Sequence, residues 1–392
     1  MLSCVYCEEE FFEEGKGSFE HVILSSLGGR KGSNNICCES CNNRLGRDVD
    51  KSTSDQLLFI SNMLGVKTGR NKSIKAISNV GEMNGRSFDL KSGMIPFFSK
   101  MKFEQIKFDN KVKAKIGARN KKELFVALNK FYSKYNKKID DMNNEQVRIS
   151  ADYNIPEVTG TVSLGGERFF RSIAKMMLTY LATICSPSIF RSGVVDSVIK
   201  FVNGNDGVKV HVYHDYMSKY PKSKLSGPFS HMIFIYSFRE SNRLYCGFRL
   251  FGHFQFGLIL SDEWNGGDIH HCYEIDPICG KALNYELNID EDDIKYCSSH
   301  EFEYIKNGLN HAFNRFFYKF DLFKKRQVIN NIIDEQTDYT LSKYNVNNVS
   351  KLTEEQAKEL CSNVGKHIAA LENKTSVVQN MTLEEFGRLR YF

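Results

Sequence analysis

The amino-acid sequence predicts an α+β protein: a small zinc-stapled module at the N-terminus, a larger α+β domain built on antiparallel sheet, and a helical C-terminal region. Three features carry that expectation. Two CxxC pairs stand within the first 41 residues, apolar and polar residues alternate over short segments in the middle of the 392-residue chain, and the hydrophobic period turns helical after Glu301. A chain of this length exceeds what one hydrophobic core usually serves, so two or three domains are expected.

Residues 1–50 alternate short apolar pieces with glycine-rich turns and read as two short strands leading into helices. From Glu39 onward, Leu45, Val49, Leu57, Leu58, Ile60 and Leu64 recur at roughly helical spacing. Residues 66–75 (VKTGRNKSIK) are polar and basic, and read as the connection out of the first module. Between Ala76 and about Lys115, SFDLKSGMIPFF and KFEQIKFDNKVKAKIG alternate as antiparallel strands do. A helix follows over Lys121–Tyr135, with Leu124, Phe125, Leu128 and Phe131 on one face. PEVTGTVS at 156–163 reads as a strand, and Glu167–Ile184 as a strongly apolar helix whose Phe169, Ile173, Met176, Met177 and Tyr180 are core residues. Residues 231–238, 244–251 and 253–260 have the composition of an antiparallel meander. The last 70 residues read as helices, one of them capped by Thr353 with Glu355 and Gln356 in its first turn. The expected domains are therefore 1–65, 76–320 and 321–392.

An apolar content of 41% with 30 phenylalanines supplies ample core and excludes disorder for most of the chain. No run of about 18 apolar residues occurs, and the first 20 residues are acidic where a signal peptide needs a basic start, so a soluble cytoplasmic protein without a membrane partner is expected. Of eleven cysteines, five (Cys4, Cys7, Cys37, Cys38 and Cys41) cluster at the N-terminus, which in a reducing compartment points to metal rather than disulfides. The other six are scattered and read as buried thiols. The net charge of +6 is modest, but thirteen basic residues lie between Lys100 and Lys138, with only Glu104, Asp109, Glu123 and Asp140 nearby. Phe103, Phe108, Phe125, Phe131, Tyr132 and Tyr135 interleave with them as on a nucleic-acid surface. A buried aromatic face beneath solvated lysines is the better reading.

Cys4-Val5-Tyr6-Cys7 and Cys38-Glu39-Ser40-Cys41 can each present two thiolates on a tight knuckle to one tetrahedral Zn2+. By itself this pattern is equally that of a structural zinc without catalysis. Between and after the knuckles come Glu20-His21-Val22-Ile23, Leu27-Gly28-Gly29, Asn34-Asn35 and Cys41-Asn42-Asn43-Arg44. This series, spanning about residues 4–50, resembles the HNH (ββα-metal) endonuclease family, and within it the subgroup whose paired CxxC knuckles frame an EH…GG…N…CN core.

The resemblance implies a strand carrying an acid and a histidine, a glycine turn into a second strand, and a helix that returns a polar residue beside the acid. Glu20 and Asn42 would hold one divalent cation, Mg2+ or Mn2+, for which oxygen ligands are suited. His21 would take a proton from the water that attacks phosphorus, and the cation would stabilise the leaving 3′ oxygen. Products would carry 5′-phosphate and 3′-hydroxyl ends. Either Asn34 or Asn35 would fix the loop after the histidine, and Asn35, fourteen residues after His21, has the commoner spacing. The sequence departs from the family at Leu24, often Pro, and at Asn42, His in many members.

Arg30, Lys31, Arg44 and Arg47 surround the module as candidate phosphate contacts. Glu8, Glu9, Glu10, Glu13 and Glu14 would repel DNA, so they must point away from a duplex or cover the site at rest. Elsewhere, His270-His271-Cys272 with Cys279 lacks a second knuckle and reads as strand and turn, as does His211 with His214. Gly165-Gly166 ahead of the apolar helix offers only a lone phosphate signal.

The expected function is DNA cleavage by the N-terminal module. The remainder would choose the target, sense a nucleotide or modified-DNA signal, or dimerise, as in bacterial restriction and anti-phage defence effectors; this is an analogy of architecture. One metal centre cuts one strand, so double-strand cleavage would need a homodimer. The chemistry does not itself exclude RNA, although the resemblance favours DNA. The alternative is a zinc-ribbon protein that grips nucleic acid without cutting, which would have no use for Glu20, His21 and Asn42 together.

Overall fold

In a computed structural model the chain opens with two small antiparallel pairs: β1 (Leu2–Ser3) with β2 (Phe11–Phe12), and β3 (Ser18–His21) with β4 (Gly32–Cys37). The residues described are 1–392 apart from 8–10, 84–85, 109–110, 119–120, 138–145, 153–157, 159, 209, 296–301 and 385–392. The acidic residues 8–10 thus lie outside the description. After β4, the Cys38 side chain accepts from the Cys41 amide and caps α1 (Glu39–Leu45). The chain continues through a π-helical turn at Gly46–Asp50 into α2 (Lys51–Gln56) and α3 (Leu58–Leu64), which Gly65 ends at φ 68°. Leu45, Val49, Leu57, Ile60 and Leu64 are all buried, as their spacing predicts.

Contacts divide the chain into two compact units. The first comprises Met1–Ala76, Ser92–Met94 and Gly160–Lys319; the second comprises Ile77–Lys91, Ile95–Thr159 and Phe320–Phe392. In the second unit β5 (Ile77–Met83), β6 (Arg86–Lys91) and β7 (Ile95–Phe98) form one antiparallel sheet, while β8 (Lys102–Phe108) pairs with β9 (Lys111–Gly117). The next helix, α4 (Lys121–Ser133), buries Leu128 and Phe131, and Phe131 packs against Phe103, Tyr132 and Tyr135. Lys102, Lys107, Lys130, Lys134 and Lys137 are exposed. Of the aromatics in the basic stretch only Phe131 is buried; Phe103, Phe125 and Tyr132 are partly covered, Tyr135 is exposed, and the Phe108 side chain lies outside the described residues. β10 (Gln146–Asp152) closes this part. No strand forms at 160–163, contrary to expectation: the chain there finds no strand partner, and Gly160 lies against the Phe59 ring.

Back in the first unit, α5 (Glu167–Ile184) spans the residues its apolar period predicts, followed by α6 (Ser188–Arg191) and α7 (Asp196–Asn203). Six antiparallel strands then form one sheet: β11 (Tyr213–His214), β12 (His231–Phe238), β13 (Arg243–Leu250), β14 (Phe254–Ser261), β15 (His270–Ile275) and β16 (Ala282–Glu286). Their order is β11-β14-β13-β12-β15-β16, so the meander read from composition forms its centre. Phe169, Ile173, Met176, Met177 and Tyr180 are buried. α5 packs against β12, β13 and β14 on one side and against β3, β4, α2 and the π turn on another. A helix covered on both sides has no solvated stripe, and its polar residues must find partners inside.

Two helices, α8 (Phe302–Lys343) and α9 (Glu354–Glu372), make the C-terminal region helical, and Thr353 caps α9 in a reciprocal capping box with Gln356. The last 70 residues are not all helix, however. β17 (Ser376–Thr382), with β-branched Val377 and Val378, pairs antiparallel with β10. Among the described residues no helix is long and apolar enough to cross a membrane.

Candidate nuclease site

Cys4 and Cys7, from the turn after β1, and Cys38 and Cys41, from the start of α1, come together with all four sulfurs within 4.8 Å of one another. The Cys41 thiol beside it, with the backbone N–H groups of Cys38, Tyr6 and Cys7, pulls the Cys4 thiol down to about 5 despite burial. Four clustered sulfurs with one readily ionised fit a tetrahedral Zn2+, which would supply a cross-link and no chemistry. Cys37 stands apart from the tetrad: its thiol donates to Glu20 Oε2 at 3.7 Å and the Ser18 carbonyl at 3.9 Å. Among the described residues no other group of three or more His, Cys, Asp or Glu side chains is placed to hold a metal. The His270-His271-Cys272 stretch lies in strand β15; Cys246 and Cys272 are buried as expected of scattered thiols, but Cys279, in the turn after β15, and Cys361, in α9, are exposed.

His21 ends β3 opposite Gly32, half-buried, with the Phe19 ring edge-on at 4.8 Å. Burial lowers its pKa from 6.5, and the charges of Lys175 and Arg70 lower it further against the opposing pull of Asp50. The imidazole is therefore neutral at pH 7 and able to accept a proton. The loop after it is held by Val22 N–H donating to Lys31 O and Gly29 N–H to Leu24 O. The His231 Nε2–H of β12 also donates to Leu27 O at 2.9 Å, while its Nδ1 accepts from Phe251 N–H. Asn35 accepts from Gly15 N–H at 2.6 Å and Asn34 donates to Gly17 O at 3.0 Å. Both asparagines tie down the segment ahead of β3.

Successive residues of a strand face opposite ways. Phe19 and His21 turn outward, whereas Glu20 turns in and is 3% exposed. There the Lys175 ammonium of α5 donates to Glu20 Oε1 at 2.6 Å and to Asp50 Oδ2 at 2.7 Å. Burial alone would lower the Lys175 pKa; the Asp50 and Glu20 carboxylates more than reverse it, and the ammonium stays charged. Asn42 donates through Nδ2 to Ser18 Oγ at 2.6 Å and Phe19 O at 3.1 Å. Its carbonyl oxygen remains a donor for a cation, but both Glu20 oxygens are engaged. The pair Glu20 and Asn42 does not fit a hard divalent ion as it stands, because one of the two already carries an ammonium.

Three of the four basic residues singled out in the sequence lean on other parts of this unit. Lys31 Nζ donates to Asn284 Oδ1 at 2.8 Å and lies over the Tyr180 and Tyr273 rings. Arg44 donates to Asn203 Oδ1 at 2.7 Å, and the Arg30 guanidinium lies against Gly280. Arg47 is exposed.

Sequence reasoning missed the segment read as a plain connection. Residues 67–73 form a tight turn, bridged between Lys67 and Ser73, and Gly69 N–H donates to Ser25 O at 3.0 Å. A Cβ on Gly69 would stand 2.3 Å from Gly29 O and 3.2 Å from His21 Nε2, so only glycine seats this turn beside the histidine. Arg70, at its tip, is exposed.

A hairpin framed by two cysteine knuckles and followed by a helix, with a histidine closing its first strand, is the arrangement of a ββα module. Residues 4–58 match the HNH endonuclease family, and this segment is an HNH module. No curated protein and no solved structure matches the chain. Residues 59–392 are accordingly read from their own chemistry alone.

Proposed function

We propose that this chain is a DNA endonuclease that hydrolyses phosphodiester bonds with His21 as general base. The observation that supports it most is the His21 imidazole: neutral, half-buried and on the outward face of a zinc-stapled hairpin, where a phosphate can approach it. Arg70, exposed and close enough to His21 to lower its pKa, is the first candidate for the DNA backbone, with the exposed Arg47 as a further one from the module. Asn35 and Asn34 brace the hairpin, and Asn42 fastens α1 to β3. A divalent cation, Mg2+ or Mn2+, remains part of the proposal on the family resemblance alone.

By analogy of architecture, residues 76–392 would select the target or sense a nucleotide or modified-DNA signal, as in restriction and anti-phage effectors, and a homodimer would supply the second cut. The reading of a zinc module that binds without cutting draws on one observation, the closure of Glu20 by Lys175.

Supercoiled plasmid incubated with wild type and His21→Ala, with Mg2+ or Mn2+ and with EDTA, separates the two. Nicking or linearisation by wild type alone supports the nuclease. A gel shift by both proteins with no cleavage by either supports the binding module.

A further inference from the structure

We propose that the Lys175 ammonium is the resident cation of this site, filling the space between Glu20 and Asp50. Both carboxylates then act as positioning residues for the strand that carries His21, and Glu20 is not a ligand of a divalent cation. The proposal rests on the nuclease reading only in linking these groups to cleavage; the ionic arrangement itself stands without it.

Three observations carry it. Lys175 is 1% exposed and bonds both carboxylates, at 2.6 Å to Glu20 and 2.7 Å to Asp50. Its helix is packed against the sheet on one side and the hairpin on the other, so the side chain cannot swing out to make room for an ion. Second, strand alternation turns Glu20 to the interior while His21 faces out, and Cys37 closes the second carboxylate oxygen. Third, a divalent ion at Glu20 would sit beside an ammonium in a dry interior, where like charges repel far more strongly than in water. Mg2+ also sheds its waters reluctantly and favours open sites that share substrate phosphates. Asp50 Oδ1 is buried without a hydrogen-bond partner, so loss of the ammonium would leave an oxygen ready for another cation.

The test reads Mn2+ binding to the zinc-loaded full chain by electron paramagnetic resonance, without DNA, so it remains decisive even if the chain never cuts. Glu20→Gln is expected to leave Mn2+ affinity as in wild type. Lys175→Met, which removes the ammonium and keeps the stem, is expected to gain one Mn2+ per chain that the Glu20→Gln/Lys175→Met double variant lacks. A loss of about ten-fold or more in Mn2+ affinity in Glu20→Gln would overturn the proposal. So would a folded Lys175→Met with no added site. Should Lys175→Met fail to fold, Lys175→Gln, which retains a donor to the carboxylates, takes its place in the same comparison.

Discussion

His21 has a lowered pKa because it is partly buried, and Lys175 and Arg70 add positive charge around it. The sign follows directly. A base must be neutral to accept a proton, and a depressed pKa keeps it neutral to lower pH, so the acid limb of the cleavage profile should fall below 6.5. Arg70→Ala removes one of the charges responsible and should move that limb upward. If Arg70 also meets a phosphate, the same substitution lowers the slope of log affinity against log salt by roughly one, measured by anisotropy in the non-cutting His21→Ala background. An unchanged limb and slope would remove Arg70 from the site. At this scale His21 was legible, because Glu20-His21 sits at fixed spacing from two cysteine knuckles. Arg70 was hidden in a polar stretch that resembles any linker. Lys175 was hidden differently: Glu167, Arg171 and Lys175 recur every four residues on α5, the pattern of a solvated stripe, and only the packing on both sides of the helix turns Arg171 and Lys175 inward.

Between α1 and α2 the π-helical turn at Gly46–Asp50 performs a specific task. The extra residue in its repeat aims Asp48 and Asp50 at α5, where Arg171 Nη2 meets Asp48 at 3.0 Å and Lys175 meets Asp50. No hydrophobic period announces such a turn. The zinc knuckles, by contrast, are local in sequence, and for that reason they could be read directly. Cys38 has two duties, as one of the four sulfurs and as the N-cap of α1. Cys4→Ala or Cys41→Ala should abolish zinc retention and melt β1 to α1, since structural zinc is worth on the order of 10 kcal/mol to such small modules. His21→Ala should keep its zinc. Zinc content by atomic absorption, read beside circular dichroism, checks both, and a His21→Ala protein that lost zinc would contradict the division of roles between staple and base.

The HNH hairpin and the six-stranded sheet belong to one unit because α5 and the sheet complete the hairpin's polar interior. Tyr6 Oη and Thr179 Oγ1 are bonded at 2.7 Å, Asn203 Nδ2 donates to Tyr6 O at 2.7 Å, and His231 donates to Leu27 O in the loop after the strand that carries His21. Glu20 finds its counter-ion only on α5. Cysteine spacing ends at residue 41 and carries no trace of these long-range partners, whose sequence separations exceed 120 residues. A carboxylate buried without its ammonium is strongly destabilising, by about 3–5 kcal/mol. A domain of this size has little stability to spare. The fragment Met1–Ala76, refolded with zinc, should therefore bind the metal through its four cysteines yet give a poorly dispersed amide spectrum and no cooperative melt. Adding back the sheet portion in the full chain should restore a single sharp transition for both. A well-dispersed spectrum from the fragment alone would mean that the hairpin holds His21 without α5, and the sheet would then have no direct grip on that strand. If the fragment is loose as expected, α5 and the sheet behind it are part of what holds the strand that carries His21, through the Lys175–Glu20 contact.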